Sequence, residues 1–459
     1  MTAALALTRR GVRVTVVERE VRVGGLCGTH EHRGFRFDYG GHRFITQSTE
    51  IDRFVRDSLG DQLLTRTRSS VVVNGGARYH YPLQLDDVLA KYGVARGARA
   101  LASYARANVA QRLQPREAKS FRDWVVQRFG RDLYDTFFGP YTEKLWGIAP
   151  ETISADWAAQ RISIPSLNDV VLRLLGVRRP EVRTYARKYL YPRLGIGQIF
   201  ENFEKEVAEN GGVIRHGAEV ISVRTSRGRV QAVAIRDEAG EHEIPCDAVL
   251  STIALPAFAR MLGSLDREGE ASAGRLRFRA IRMLNVLLEG PPVSPHTWMY
   301  ISEPSYLAAR IQEPLHRSPS MAPPGCTSLM FEVPCEAGDA VWSASDAQIY
   351  ERCMSDADRL GIHGLRSRTI DSFSSFVREG YPIYHLDYGA DRERLLAHVD
   401  RTSNVITCGR QGGFRYIFMD TAMEMGLRAA EAIEARGARR NISELRVGGG
   451  LIEACALTA

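Results

Sequence analysis

Four short stretches of the chain carry residue types that could do chemistry at their spacing. Near the start, Val12 to Glu18 alternates as a strand ending in an acid, after Ala3, Leu5 and Ala6 lead through Thr8-Arg9-Arg10 to a glycine stop at Gly11. A helix followed by a strand with a terminal carboxylate is the second half of a βαβ dinucleotide unit, in which Glu18 would accept hydrogen bonds from ribose hydroxyls. A solvated strand end has the same pattern. The first half, a strand and a Gly-x-Gly-x-x-Gly turn whose amides bind pyrophosphate, would precede Met1, so the chain reads as starting at an internal methionine with roughly 10–15 residues upstream.

The second stretch is Gly40-Gly41-His42, where an imidazole that titrates near neutral pH follows two residues without side chains. In the third, Tyr141, Lys144 and Trp146 combine stacking surface with a cation, as a nucleotide or glycan would require; a helix end with its tryptophan in the core fits equally. In the fourth, Gly409 permits a tight turn after a strand and Arg410 could neutralise a phosphate or an anionic substrate. Asp420 begins a helix whose positive end would stabilise negative charge on a bound group. It also reads as a helix N-cap.

The elements that must position these residues come from pattern and length. A chain of 459 residues, 44% hydrophobic, exceeds the roughly 250–300 residues at which one core stops growing, so two domains are expected. A hairpin is expected at Val71 to Val73 and Arg78 to Tyr81 around Asn74-Gly75-Gly76. Helical periodicity runs from Asp86 to Leu113 and from Ser120 to Ala159. Short strands fill Glu219 to Thr252, and longer ones fill Arg279 to Val333. A last strand near Ser403 to Gly409 precedes a helix from Asp420 to Ala435.

The net charge of +7 comes from scattered arginine, since only Lys91, Lys119, Lys144, Lys188 and Lys205 among the 61 basic residues are lysine, and no basic run marks a nucleic-acid surface. Seven cysteines without repeated spacing argue against a disulfide framework and against a metal site, and they suit a reducing cytoplasm. No apolar stretch reaches the roughly 18 residues of a membrane span.

The segment "VVEREVRVGGLCGT", with Gly24-Gly25 shortly after Glu18, resembles the signature of glutathione-reductase-type flavoproteins, in the amine oxidase, protoporphyrinogen oxidase and phytoene desaturase group. "DYGGHRFITQSTEIDRFV", "YTEKLWGIAPETISADWAAQRI" and "CGRQGGFRYIFMDTAMEMGLRAAEAI" are similar to segments of UDP-galactopyranose mutases, in the same order. The resemblance implies a mixed α/β fold: a Rossmann-like FAD-binding domain from residues 1–83, 191–256 and 404–459, with a substrate domain of 84–190 and 257–403 inserted. It implies FAD as cofactor, held by Glu18, Gly24, Gly25, Gly40, Gly41, the backbone at Val220, Gly409, Asp420 and Met423.

It places His42 beside the flavin, with Arg410 and Tyr416 as its catalytic companions, and Tyr141, Lys144, Trp146, Arg161 and Arg279 against the substrate. Arg161 matches an arginine of the mutases, but their second, shortly downstream, is replaced within "RISIPS". The activity implied is that of an FAD-dependent oxidoreductase passing hydride from a small molecule to flavin N5. The alternatives are a non-redox mutase of a nucleotide sugar or glycosylated metabolite and a binding protein without activity. A small-molecule partner, no nucleic acid and no integral membrane segment are expected.

Overall fold

The computed structural model describes residues 1–81, 87, 91, 93–161, 181–182, 188–435, 446–447, 450–451 and 456–457. The opening helix Thr2–Thr8 is buried along its whole length, because Ala and Leu at successive positions let it sit between the helices Gln198–Glu209 and Met419–Glu434. Gly426 marks the crossing: a Cβ there would lie 3.3 Å from the Ala3 nitrogen.

Two parallel strand pairs stand behind this layer. Thr15–Val17 pairs with Val213–Arg215, and Val249–Ser251 pairs with Val405–Thr407. The Met1 amine is buried close to both Glu18 and Cys408, so the helix starts between the ends of the two pairs. Hydrogen bonds from Ala218 N to Glu18 O (3.0 Å) and from Gly217 N to Glu20 O (3.2 Å) then tie the end of the first pair to an antiparallel meander, Glu219–Ser226, Arg229–Asp237 and Gly240–Pro245. These are the short strands expected from the alternation over 219–252.

The larger sheet has seven strands in the order Thr369–Pro382, Phe278–Glu289, Cys326–Cys335, Arg310–Gln312, Trp298–Ile301, Ser70–Asn74 and Ala77–His80. Phe278–Glu289 is buried at every position from Arg279 to Leu288 because both of its faces are covered. Ile281, Met283 and Leu287 enter one core with Trp146 and Phe121, while Leu284, Val286 and Leu288 enter another with Ile349 and Met354. The expected hairpin forms with Gly75-Gly76 as its two-residue loop, both at positive φ. Its first strand pairs in parallel with Trp298–Ile301, which carries residues 70–80 into the same sheet as residues more than 200 positions later.

The helical block comprises Val94–Leu113, Phe121–Phe129, Gly139–Trp146 and Ala155–Arg161. The periodicity over 120–159 is therefore divided. A capping box of Ser120 and Asp123 starts one helix, Gly130 at φ 82° ends it, and Gly147 at φ 68° ends the next. No helix among the described residues is long and apolar enough to cross a membrane.

Candidate functional site

A cavity of about 340 Å³ lies where these layers meet. One wall is formed by residues 39–43 and by Arg410, Tyr416, Phe418 and Met419; the other comes from the helical block and the seven-stranded sheet, with Tyr141, Trp298, Tyr300, Arg310 and Tyr381. Among the described lining residues four are arginine (Arg43, Arg68, Arg310, Arg410) and none is aspartate or glutamate. The remainder is mostly aromatic and aliphatic, as in sites that hold small organic molecules.

Gly40 and Gly41 have a steric reason to be glycine. Gly40 has φ 105°, and a Cβ on Gly41 would sit 2.5 Å from Arg310 Nη1. The loop therefore passes directly over a buried ion pair, Arg310 Nη1 to Glu332 Oε1 at 3.5 Å. Gln312 donates to Glu332 and Arg317 donates to Gln312, which continues the network to Asp38, 4.0 Å from Arg317. Asp38 in turn accepts from Tyr191 Oη (2.5 Å), Thr29 Oγ1 (2.8 Å) and Ile196 N (3.0 Å). Both carboxylates are thus engaged beneath the cavity floor.

His42 follows this loop. Its Nε2 lies 3.1 Å from the Tyr39 carbonyl, which can only accept, so the proton sits on Nε2 and Nδ1 is the basic nitrogen. Burial lowers its pKa below the ordinary imidazole value, with Asp38 opposing and Arg410 assisting, and the ring is neutral at pH 7. Arg410 is held by two carbonyls, Ile417 O at 2.6 Å and Gly380 O at 3.4 Å, and its guanidinium stacks 4.7 Å above the Tyr416 ring. It therefore braces the 409–419 segment as well as presenting charge. Tyr416 N donates to Tyr384 Oη at 2.8 Å. Tyr141 is on the far wall, edge-on to Tyr300 at 6.2 Å, its phenol pushed well up by burial.

Other expected site residues lie elsewhere. Trp146 is 1% exposed and packs behind the wall, edge-on to Trp157 at 5.2 Å and beside Tyr381 and Tyr416. Lys144 points away from the cavity and donates to the carbonyls of Ile301 (3.1 Å), Glu303 (3.0 Å) and Ala308 (2.7 Å); burial lowers its pKa to about 8. Arg279 donates to Leu145 O at 3.2 Å at the end of the Gly139–Trp146 helix and reaches Glu336 at 3.9 Å. The side chain of Arg161 lies outside the described residues.

The expected cofactor residues have the chemistry a flavin nucleotide needs. Glu18 is half-buried at its strand end, accepts from Glu20 N at 2.9 Å, and among the described residues forms no ion pair; burial raises its pKa. Gly24 and Gly25 (φ 103° and 53°) and Gly409 (φ 83°) turn the backbone as their motifs require. Val220 pairs with Ile235 just beyond the Glu18 tie, and Met423 is buried against the opening helix layer. Asp420 is not the N-cap: the helix Met419–Glu434 is preceded by Phe418, which supplies no side-chain cap. Its first amides accordingly lack an N-cap side chain, next to Phe418 and Met419 in the cavity wall. The donors and acceptors present fit FAD at its ribose and ring ends. The strand and glycine turn expected ahead of the opening helix are not among the residues of this chain.

Arg43, Arg68, Arg310, Trp298 and Tyr300 were not singled out from the sequence. Arg43 adjoins His42 and was legible in principle, but arginine is so frequent here that no single one stands out.

Known proteins share this fold. The solved structure of reduced UDP-galactopyranose mutase superposes with a TM-score of 0.81 at 18% identity, covering 96% of this chain and 94% of that one. Wild-type putrescine oxidase bound to putrescine gives 0.63 at 17%, covering 95% and 96%. At such identities the likeness is one of fold, a mixed α/β FAD-binding architecture with an inserted domain. Phytoene dehydrogenase of Streptomyces griseus is 25% identical over 417 residues, 80% of this chain and 77% of that protein. The model of the flavin containing amine oxidoreductase family matches residues 1–434, and the chain belongs to that family, with FAD as its cofactor.

Proposed function

We propose that this protein is an FAD-dependent oxidoreductase that removes hydride from a small molecule held in the cavity between the 39–43 and 409–419 segments and the seven-stranded sheet. The observation that carries this reading is the composition of that cavity. It is aromatic on several sides, with Tyr141, Tyr381 and Tyr416 among its walls, and bordered by residues of both flavin-type motifs. When bound, FAD supplies the hydride acceptor, and the protein supplies orientation, exclusion of water and proton handling. His42, neutral with Nδ1 basic, is placed to take the proton that accompanies hydride loss. Arg410, fixed by Ile417 and Gly380, keeps Tyr416 and the loop in register with the ring site.

The lining argues against a cationic amine of the putrescine kind. A dication would face four guanidinium groups and no carboxylate among the described lining residues. The second reading, a non-redox mutase of a nucleotide sugar, is favoured by the same arginines, which suit a diphosphate, and by the extent of the likeness to the mutase. We further propose the division into cofactor segments near residues 1–83, 191–256 and 404–459, with the 70–80 hairpin extending the substrate sheet.

Net electron flow separates the readings. For the oxidoreductase, an accepted substrate bleaches the visible flavin band anaerobically and oxygen or another acceptor restores it. For the mutase, isomerisation appears only after dithionite reduction and consumes no electrons. Protein that holds no flavin would overturn both.

A further inference from the structure

The end of the cavity formed by Trp298, Tyr300 and Tyr81 holds more positive charge than its surroundings balance. Three guanidinium groups surround one buried indole: Arg43 lies 5.3 Å, Arg68 5.5 Å and Arg317 5.7 Å from the Trp298 ring. Arg317 is engaged with Gln312 beneath the floor. Arg68 donates to Ser70 Oγ at 3.0 Å and stacks on Tyr81 at 4.4 Å. Arg317 also has unpartnered nitrogens, Nε and Nη1, but it does not line the cavity, whereas Arg43 does; the Arg43 Nη1 is buried with no hydrogen-bond partner, and Arg43 forms no ion pair among the described residues.

Arginine cannot shed its proton at physiological pH, and an unpartnered guanidinium donor in a cavity wall is matched to an acceptor that enters the cavity. Burial and the nearby Arg68 lower the Arg43 pKa to about 10, the direction expected of a cation beside another cation. Tyr300 registers the same field: burial raises its phenol, but Arg68, Arg310 and Arg43 together bring it below the ordinary value.

We propose that Arg43, flanked by Arg68, is an oxyanion subsite that receives a carboxylate or phosphate of the substrate, with the aromatic surfaces of Trp298 and Tyr81 holding the adjoining apolar part. A planar guanidinium fork matches either oxyanion in two parallel hydrogen bonds, and the aromatic walls exclude water that would otherwise screen them. The substrate class is then an aromatic or apolar acid or phosphate ester, which rests on the oxidoreductase or mutase reading for the cavity as a substrate site.

The test uses purified flavin-loaded protein and three probes of similar body: benzoate, phenyl phosphate and neutral benzyl alcohol. Binding is measured by calorimetry and by perturbation of the flavin spectrum. At least one charged probe should bind about tenfold or more tightly than the alcohol, as expected for charge-assisted hydrogen bonds, and added salt should narrow the gap. Preference for benzoate or for phenyl phosphate identifies which oxyanion the subsite favours.

Arg43→Gln should abolish the preference while leaving benzyl alcohol binding unchanged, Arg68→Gln should reduce it, and the exposed Arg366→Gln should not affect it. Equal affinity for charged and neutral probes in the wild-type protein, or an unchanged preference in a folded Arg43→Gln variant, would overturn the subsite. If Arg43→Gln fails to fold, the wild-type comparison decides by itself. Failure of the functional reading looks different: flavin that no substrate reduces and that supports no isomerisation, with calorimetric binding of the charged probe intact.

Discussion

Replacing Arg410 by alanine removes two hydrogen bonds to backbone carbonyls and a stacked contact with Tyr416. The bond to Ile417 O at 2.6 Å is a good charge-assisted one, worth about 1.5–3 kcal/mol, whereas the 3.4 Å contact to Gly380 O is weaker. Stacking on Tyr416 adds about 0.5–1 kcal/mol because the group is partly exposed. The terms share one side chain and do not add fully, so the expected loss of stability is about 2–3 kcal/mol. Denaturant unfolding followed by circular dichroism would measure it.

Turnover should fall at least tenfold with flavin still bound, because the 409–419 loop loses its brace. Arg410→Lys separates charge from geometry: an ammonium keeps the charge but presents no planar fork to span both carbonyls, so it should recover little activity. Stability of Arg410→Ala within about 0.5 kcal/mol of wild type, the range of ordinary surface substitutions, would refute the bracing role. Full rescue by lysine would show that charge alone matters.

Trp146→Ala should act on stability rather than on substrate affinity, costing about 3–5 kcal/mol by opening a cavity behind Tyr381 and Tyr416, as thermal unfolding would show. Gly41→Ala forces a methyl against Arg310 Nη1 and should cost about 1–3 kcal/mol, with the flavin spectrum shifting as the 39–43 loop moves; unfolding midpoints and absorption spectra check both. If His42 is the proton acceptor, the acid limb of the rate profile lies below pH 6.5, the ordinary imidazole value, and disappears in His42→Gln. The sign for stability follows the same shift: the unfolded imidazole takes up a proton first, so His42 disfavours folding as pH falls below 6.5, and His42→Gln should flatten that part of the stability profile.

What was legible in the sequence was local. The glycine stop and acid-tipped strand around Glu18, the Gly75-Gly76 hairpin and the turn at Gly409 are specified by neighbours a few residues apart; the hairpin and the turn form where their patterns place them, while the strand expected over Val12 to Glu18 forms only over Thr15–Val17, just before the acid. The direction of Lys144 and Trp146 was not legible. Both sit on the short helix Gly139–Trp146, whose faces are assigned by the strand Trp298–Ile301 and by Tyr381, far away in the chain. The charge cluster around Trp298 was hidden for the same reason. It exists only because Ser70–Asn74 pairs in parallel with Trp298–Ile301 and so brings Arg68 to the indole that Arg43 reaches from the Gly41 loop. Asp420 shows how little a boundary must move to change a role, since a helix starting one residue earlier makes Phe418 the capping position.

The most direct measurement is anaerobic spectroscopy of the purified, flavin-loaded chain mixed with aromatic and apolar carboxylates and phosphate esters bearing an oxidisable C–H bond. A flavin-dependent oxidoreductase working in the arginine-lined cavity predicts that a member of this set bleaches the flavin with one two-electron oxidised product per flavin, and that admitting an acceptor restores the colour. Isomerised product formed only on pre-reduced flavin, with no net electrons consumed, would contradict it.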